Sequence, residues 1–263
     1  MERIHKGFKV TRKNKRAAAY TLPSTAGQGH DLPLSVVDGA DDDLNGAVVN
    51  NSVFSFGAGM SRLNREYTCK SYLLASSYVS DVLKLGRGTQ AWYDEFIKVM
   101  TGLGWLPIRS SFERVTTSKK GLSVQMAALN IIASLVASTS LSGPLTMGLP
   151  KLAADAFEAL KQHPQSFDLF QRNISTREGG DFGLASCSEI DGEVLMVMVT
   201  YSIHDISKKV GVPFIEWDSS SVEAFSGRTC LMLNPTVVNE ATLKLLRERV
   251  GDKVLLAIAQ YRI

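Results

Sequence analysis

Few residues of this 263-residue chain combine the type and the spacing that chemistry needs. It has four histidines, His5, His30, His163 and His204, and of these His204, in "YSIHD", is the one placed at a predicted strand end beside a carboxylate. Neighbouring strand residues point to opposite faces, so Asp205 is badly placed to orient the His204 ring. Hydroxyls follow in "WDSSS" (Trp217–Ser221). A hydrolase built on His204 with Ser219 to Ser221 would need a nucleophile, base and orienting acid within reach of one another. No G-x-S-x-G elbow surrounds these serines, and a capped turn explains them equally well. The glycines of "GAGMSR" (Gly57–Arg62) lack the third glycine of a dinucleotide fingerprint, and no P-loop, H-E-x-x-H or C-x-x-C occurs. Catalysis is therefore the third reading of this chain, behind two non-enzymatic ones, and no cofactor is expected.

A metal is the next chemistry to weigh. Asp41, Asp43, Asn45 and Gly46 match D-x-D-x-N-G, the first half of a calcium loop, whose alternate oxygens and sharp glycine turn suit a hard cation. The twelfth position is Ser52 rather than a bidentate glutamate, and "DLPLSVVDGA" before the loop lacks helical periodicity. The expectation is poor calcium affinity or a plain solvated turn. Cys69, Cys187 and Cys230 are too far apart for metal spacing and form no disulfide framework, which points to a reducing compartment with at most one bridge.

Charge is unevenly spread. The net charge is +3, yet the first sixteen residues carry seven Lys/Arg and one Glu (+6), leaving a body of 22 basic and 25 acidic residues (−3). Such an arm, through Arg12, Lys13, Lys15 and Arg16, suits an anionic surface, either lipid or nucleic acid, or a neighbouring subunit; a solvated, mobile terminus is the plain alternative. It lacks the apolar stretch of a secretory signal, so no cleavable leader is expected.

The longest unusual feature is "GLSVQMAALNIIASLVASTSLSGPLTMGLP", Gly121 to Pro150, thirty residues without a charge in a chain that is 21% charged. Leu122 to Ser140 is long enough for a membrane span, but its Ser, Thr, Gln and Asn content is too high for a confident one. The pattern instead predicts a central helix from near Leu122. Leu122, Met126, Leu129, Ile132 and Val136 are its apolar candidates for a membrane or subunit interface, and Ala127, Asn130 and Ser134 lie on a narrow stripe of small or polar groups.

The elements that must position these residues follow from periodicity and caps. "SVFSF" (52–56) reads as a short strand. Helices are expected at 61–86, at 89–104 with Thr89 as N-cap, from Leu122, and from Pro150 to a stop at Pro164. Beyond about residue 180 the pattern changes to strands. "FGLASCSEI" and "EVLMVMVTYSI" flank Asp191-Gly192, a strong tight-hairpin signal, and "VPFIEW", "RTCLML" and the final "KVLLAIAQYRI" add further strands. One late helix runs from Asn234 to Gly251. The expected fold is α+β: a helical first half of about four helices, one central and uncharged, and a strand-rich second half. The expected organisation is a basic arm at 1–20, a mainly helical region at 21–175 and a β-rich region at 176–263, the last two packed as one unit.

Two function classes lead: an assembling protein of toxin or effector type that engages a membrane or partner surface, and a structural subunit of a larger viral or phage-type particle whose arm touches nucleic acid or neighbours. Both imply a homo-oligomer without a small-molecule cofactor. With no leader and no confident span, the chain is expected to be soluble, cytoplasmic or delivered by a non-classical route. If the arm binds polyanions, replacing Arg12, Lys13, Lys15 and Arg16 by Ala should weaken binding to heparin or anionic vesicles. It should also flatten the dependence on salt, since fewer counterions are released. An unchanged affinity and salt slope would remove the arm from the account.

Overall fold

The turn at Asp191-Gly192 organises the centre of the molecule. In the computed structural model, both residues have positive φ (52° and 81°), the conformation whose twist matches that of the flanking strands. The structure describes residues 45–115, 124–139, 143–174, 179–205, 222–251 and 257–263. Seven strands, β1 (Gly46–Val49), β2 (Ser52–Phe56), β3 (Trp105–Arg114), β4 (Gly179–Ile190), β5 (Glu193–Asp205), β6 (Val222–Leu233) and β7 (Ile258–Tyr261), form one sheet. Their order is β3-β6-β5-β4-β2-β1-β7. The hairpin pairs β4 with β5 along its whole length, from Ile190↔Glu193 to Gly179↔His204. Only β2 and β4 run parallel; every other neighbouring pair is antiparallel.

The central strands are apolar on both faces, so both must be covered. Met196, Met198, Ala185, Cys187, Leu231 and Leu233 face one helical layer, and Leu195, Val197, Val199, Leu184, Phe182 and Cys230 face the other. The first layer is α1 (Arg62–Ser77), α2 (Gln90–Gly102) and α6 (Glu240–Val250); the second is α3 (Val124–Ser138), α4 (Leu149–Leu160) and α5 (Pro164–Ile174). The strands β1, β2 and β3 come from the first half of the chain and share the sheet with β4 to β7, so helices and strands interleave rather than separate by half.

Local chemistry explains most boundaries. Ser61 and Thr89 cap α1 and α2 by accepting from the N–H of Asn64 and Trp92. Past α1 the helix widens into a π turn at Tyr78–Val82. The helix from Pro150 stops at Leu160, short of Pro164, and Pro164 then opens α5, since a proline fits a first helical turn as readily as it breaks an interior. Asn234 and Pro235 form a single 3₁₀ turn, and α6 starts afresh at Glu240 under a capping box from Asn239 and Thr242.

The helix α1 lies almost wholly inside the fold despite its polar sequence. Buried Thr68 and Ser71 donate their hydroxyls to the carbonyls of Asn64 (2.7 Å) and Tyr67 (2.6 Å), which satisfies them without an outside partner. Trp105 Nε1 in turn donates to Ser71 Oγ at 3.0 Å. Close packing on this side also fixes a glycine: a Cβ at Gly227 would strike the Tyr93 ring and Thr200 Oγ1.

One ion cluster ties α1 to α6. Glu66 accepts from Arg247 Nε and Nη2, both at 2.7 Å, and lies 3.0 Å from Lys70 Nζ. Burial alone would raise the Glu66 pKa, but hydrogen bonds from Arg247 and Lys70, reinforced by their charges, hold it down at about 2. A carboxyl more acidic in the folded than in the unfolded chain adds stability above its ordinary pKa, and this is lost as pH falls toward the folded value. Glu66→Gln should therefore lower the melting temperature at pH 7. The gap to the parent should close between about pH 4.5 and pH 2. A gap that stays constant across that range would show that Glu66 stabilises the fold by packing alone.

Candidate functional site

The uncharged helix α3 forms the outer cover of the central strands. Buried Ala127, Ala128, Ile132 and Leu135 join the cluster that contains Val197, Val199, Tyr201, Ile203, Ala224 and Cys230. The two alanines let the helix sit close to the sheet. Leu129, Ile131 and Val136 are half-buried at its flanks. The opposite side faces out: Met126 is 49% exposed, and Asn130, Ala133, Ser134, Ala137 and Ser138 are exposed.

This placement revises the expectation of a small-residue stripe packed in a tight contact. Ala127 is buried, but Asn130 and Ser134 turn to solvent, and the exposed Ser134 hydroxyl donates to its own helix at Asn130 C=O (2.8 Å). Ile132 is fully buried, while Leu129 and Val136 are partly covered and Met126 stands out. Leu122 lies outside the described residues. Polar ties near the two ends hold the helix in place: Gln125 Nε2 donates to Glu158 Oε1 of α4 (3.1 Å), and Arg109 of β3 donates to the Ser138 carbonyl (3.3 Å). A cationic side chain at a helix C-terminus meets the negative end of the helix dipole.

Beneath this layer is one polar group without a partner among the described residues. The Tyr201 hydroxyl is buried and makes no hydrogen bond. Its ring stacks on Phe182, at 5.4 Å between centroids. Burial raises its pKa, so the hydroxyl stays protonated.

The remaining candidates fall into three groups. Arg12, Lys13, Lys15, Arg16, Asp41, Asp43 and Ser219 to Ser221 lie outside the described residues, as does "VPFIEW". His204 pairs through its backbone with Gly179 and Glu223 near the ends of their strands. Asn45, the third oxygen of the calcium reading, spends its Oδ1 on the N–H of Ile263 at 2.8 Å. Among the described residues no group of three or more His, Cys, Asp or Glu could hold a metal. The three cysteines are buried and free, and burial pushes Cys69 up to about 12 and Cys230 up to about 11, so both remain thiols.

The sequence reading missed one polar constellation. Arg87 lies over the Trp92 ring at 5.2 Å and donates to Asn51 Oδ1 at 2.5 Å, while Asn51 Nδ2 donates to the Asp181 carbonyl at 2.7 Å. With Phe182, Thr200 and Tyr201 they line a cavity of about 10 Å³. That is room for one water; Arg87, Asn51 and the Asp181 carbonyl are committed to one another, while the Tyr201 hydroxyl is not. The residues come from five separate segments, the β1–β2 turn, the loop before α2, α2, β4 and β5, so no local pattern announces them.

No family model matches the chain, and no curated protein sequence matches it. Among solved structures it is weakly similar to a delta-endotoxin, with a TM-score of 0.40 and 11% identity over 81% of this chain and 90% of that one. It is also weakly similar to the activated Cyt2Ba monomer from Bacillus thuringiensis subsp. israelensis, with a TM-score of 0.41 and 13% identity over 70% and 96% of the two chains. The Evf virulence factor aligns with a TM-score of 0.29 and 12% identity over 82% and 84%.

Proposed function

We propose that this chain is a non-enzymatic assembling protein that engages a membrane surface by releasing α3 from the sheet. The observation that carries this reading is the character of α3: an uncharged helix, buried along one face, exposed along the other, and laid over strands that are themselves apolar. Lifting a helix off a core normally fails because its apolar face meets water, at about 1.5–3 kcal/mol for each large side chain. At a bilayer, acyl chains replace the core as the partner of Ile132, Leu135 and Leu129, and that penalty largely disappears. No charge on the helix has to be dehydrated.

Length decides the mode of engagement. Among the described residues no helix is long and apolar enough to cross a membrane. The 15 residues of α3 extend about 22 Å, short of a hydrocarbon core about 30 Å thick. A released α3 would therefore lie in the interface, with Asn130, Ser134 and Ser138 toward the headgroups. The basic residues Arg12, Lys13, Lys15 and Arg16 would add attraction to anionic lipid.

The test is dye release from anionic vesicles together with thermal melting. Ser134→Asp places a negative charge on the exposed side of α3, where the closed fold tolerates it and a helix lying among the headgroups of an anionic vesicle is repelled. The expected result is an unchanged melting temperature with dye release reduced at least tenfold. A parent protein that releases no dye, or a Ser134→Asp variant that releases it as well as the parent, would refute membrane engagement through α3.

A further inference from the structure

We propose that β3 is the self-association edge of this protein, pairing antiparallel with β3 of a second copy about a two-fold axis through Ser111. The inference rests on the assembling half of the function proposed above and names the partner and the register.

Among the described strands β3 pairs only with β6, leaving its other side as the edge of the sheet. Of its ten residues only Trp105 is buried, and Leu106 (51%) and Ile108 (42%) are among the most exposed large apolar side chains of the fold. Natural edges are blunted by prolines, bulges and lysines. Here Pro107 and the irregularity between Pro107 and Arg109 guard one end, whereas 109–114, "RSSFER", has no proline, bulge or lysine.

The backbone sets which registers are available. Val115 donates its N–H to Ala224 C=O at 2.8 Å. By alternation, Glu113, Ser111 and Arg109 face β6, and the N–H and C=O groups of Ser110 and Phe112 point away from it. In an antiparallel pair, opposed residues are of the same hydrogen-bonding type, so only registers that oppose even with even and odd with odd can form.

Charge selects among them. An axis through Ser110 opposes Ser111 to Arg109 and Glu113 to Pro107, and an axis through Phe112 opposes Ser111 to Glu113; both leave the Glu113 charge uncompensated across the seam. The axis through Ser111 opposes Arg109 to Glu113 twice, once on each side, and bonds Ser110 to Phe112 through the backbone. Arg109 and Glu113 then occupy non-hydrogen-bonded positions, where side chains approach closest. Glu113 already meets Arg228 at 2.9 Å and keeps 49% of its side chain exposed, so its carboxylate can accept from a second guanidinium.

The pairing also reaches the cover helix. Arg109 is the residue that holds the Ser138 carbonyl at the end of α3. Turning toward Glu113 of the second copy would remove that tie, so association would loosen α3.

The full chain carrying Ser111→Cys tests the register, because Cys69, Cys187 and Cys230 are buried and residue 111 would meet its own copy at the axis. Mild oxidation should give a covalent dimer at least tenfold faster than with Ser110→Cys. In sedimentation, Arg109→Glu should weaken the dimer about tenfold or more, and adding Glu113→Arg should restore it, with melting curves showing every variant folded. Equal cross-linking at 110 and 111, no rescue by the double exchange, or a monomer at all concentrations would overturn the proposal. A monomer would mean that another segment or partner owns the edge. Dye release on the same samples separates the two claims: dimers that release no dye contradict only the membrane reading, and monomers that release it contradict only this one.

Discussion

The structure depends on the burial of a sheet that is apolar on both faces. In β5 the run Val194 to Val199 places Met196 and Met198 on one side and Leu195, Val197 and Val199 on the other, all essentially inaccessible. A sheet of this kind needs an apolar cover on each face, and in water two helical layers supply it. The two are held differently. The α1/α2/α6 layer is fastened by the Glu66–Arg247–Lys70 cluster and by buried aromatics, including Trp92 stacked on Phe96 at 5.1 Å. On the α3 side the outermost helix carries no charge, exposes half its surface, and is tied near its two ends by single hydrogen bonds at 3.1 and 3.3 Å.

This asymmetry is where energetics become function. The Glu66–Arg247–Lys70 cluster binds α1 to α6, so neither helix can leave without breaking ion pairs. The α3 cover leaves no such charges behind; its attachment is hydrophobic, and hydrophobic attachment is what a lipid surface can replace. Arg109 bonds both to the cover and, at its place in β3, to the edge, so the proposed release and the proposed association share a residue.

Much of this fold was legible where local chemistry decides the outcome. Asp191-Gly192 and Thr89 behave as their residue types require, and "SVFSF" matches β2 residue for residue. Elements governed by tertiary context were less readable. The strand β3 was missed because an edge strand with only Trp105 buried has little need of alternation, and its "LPIRSSFER" shows none. Pro164 carries two signals and both operate: α4 ends before it, and α5, which the sequence did not announce, opens on it. For α1 the buried side includes Thr68, Ser71 and Ser76 beside Tyr67, Tyr72 and Leu73, since hydroxyls bonded to their own helix bury cheaply. The α3 site was half legible: lack of charge marked it, but composition could not reveal that Asn130 and Ser134 would face solvent rather than a tight contact. The cluster of Asn51, Arg87 and Trp92 was invisible because its members are assembled by the fold.

The central claim, that α3 is a separable cover on a sheet that stays intact, is tested most directly by amide hydrogen exchange with and without anionic vesicles. Exchange resolves opening segment by segment. The account predicts that vesicles change protection in peptides covering 124–138 while those covering β4 and β5 keep theirs. Protection unchanged in α3, or lost together in α3, β4 and β5, would contradict it.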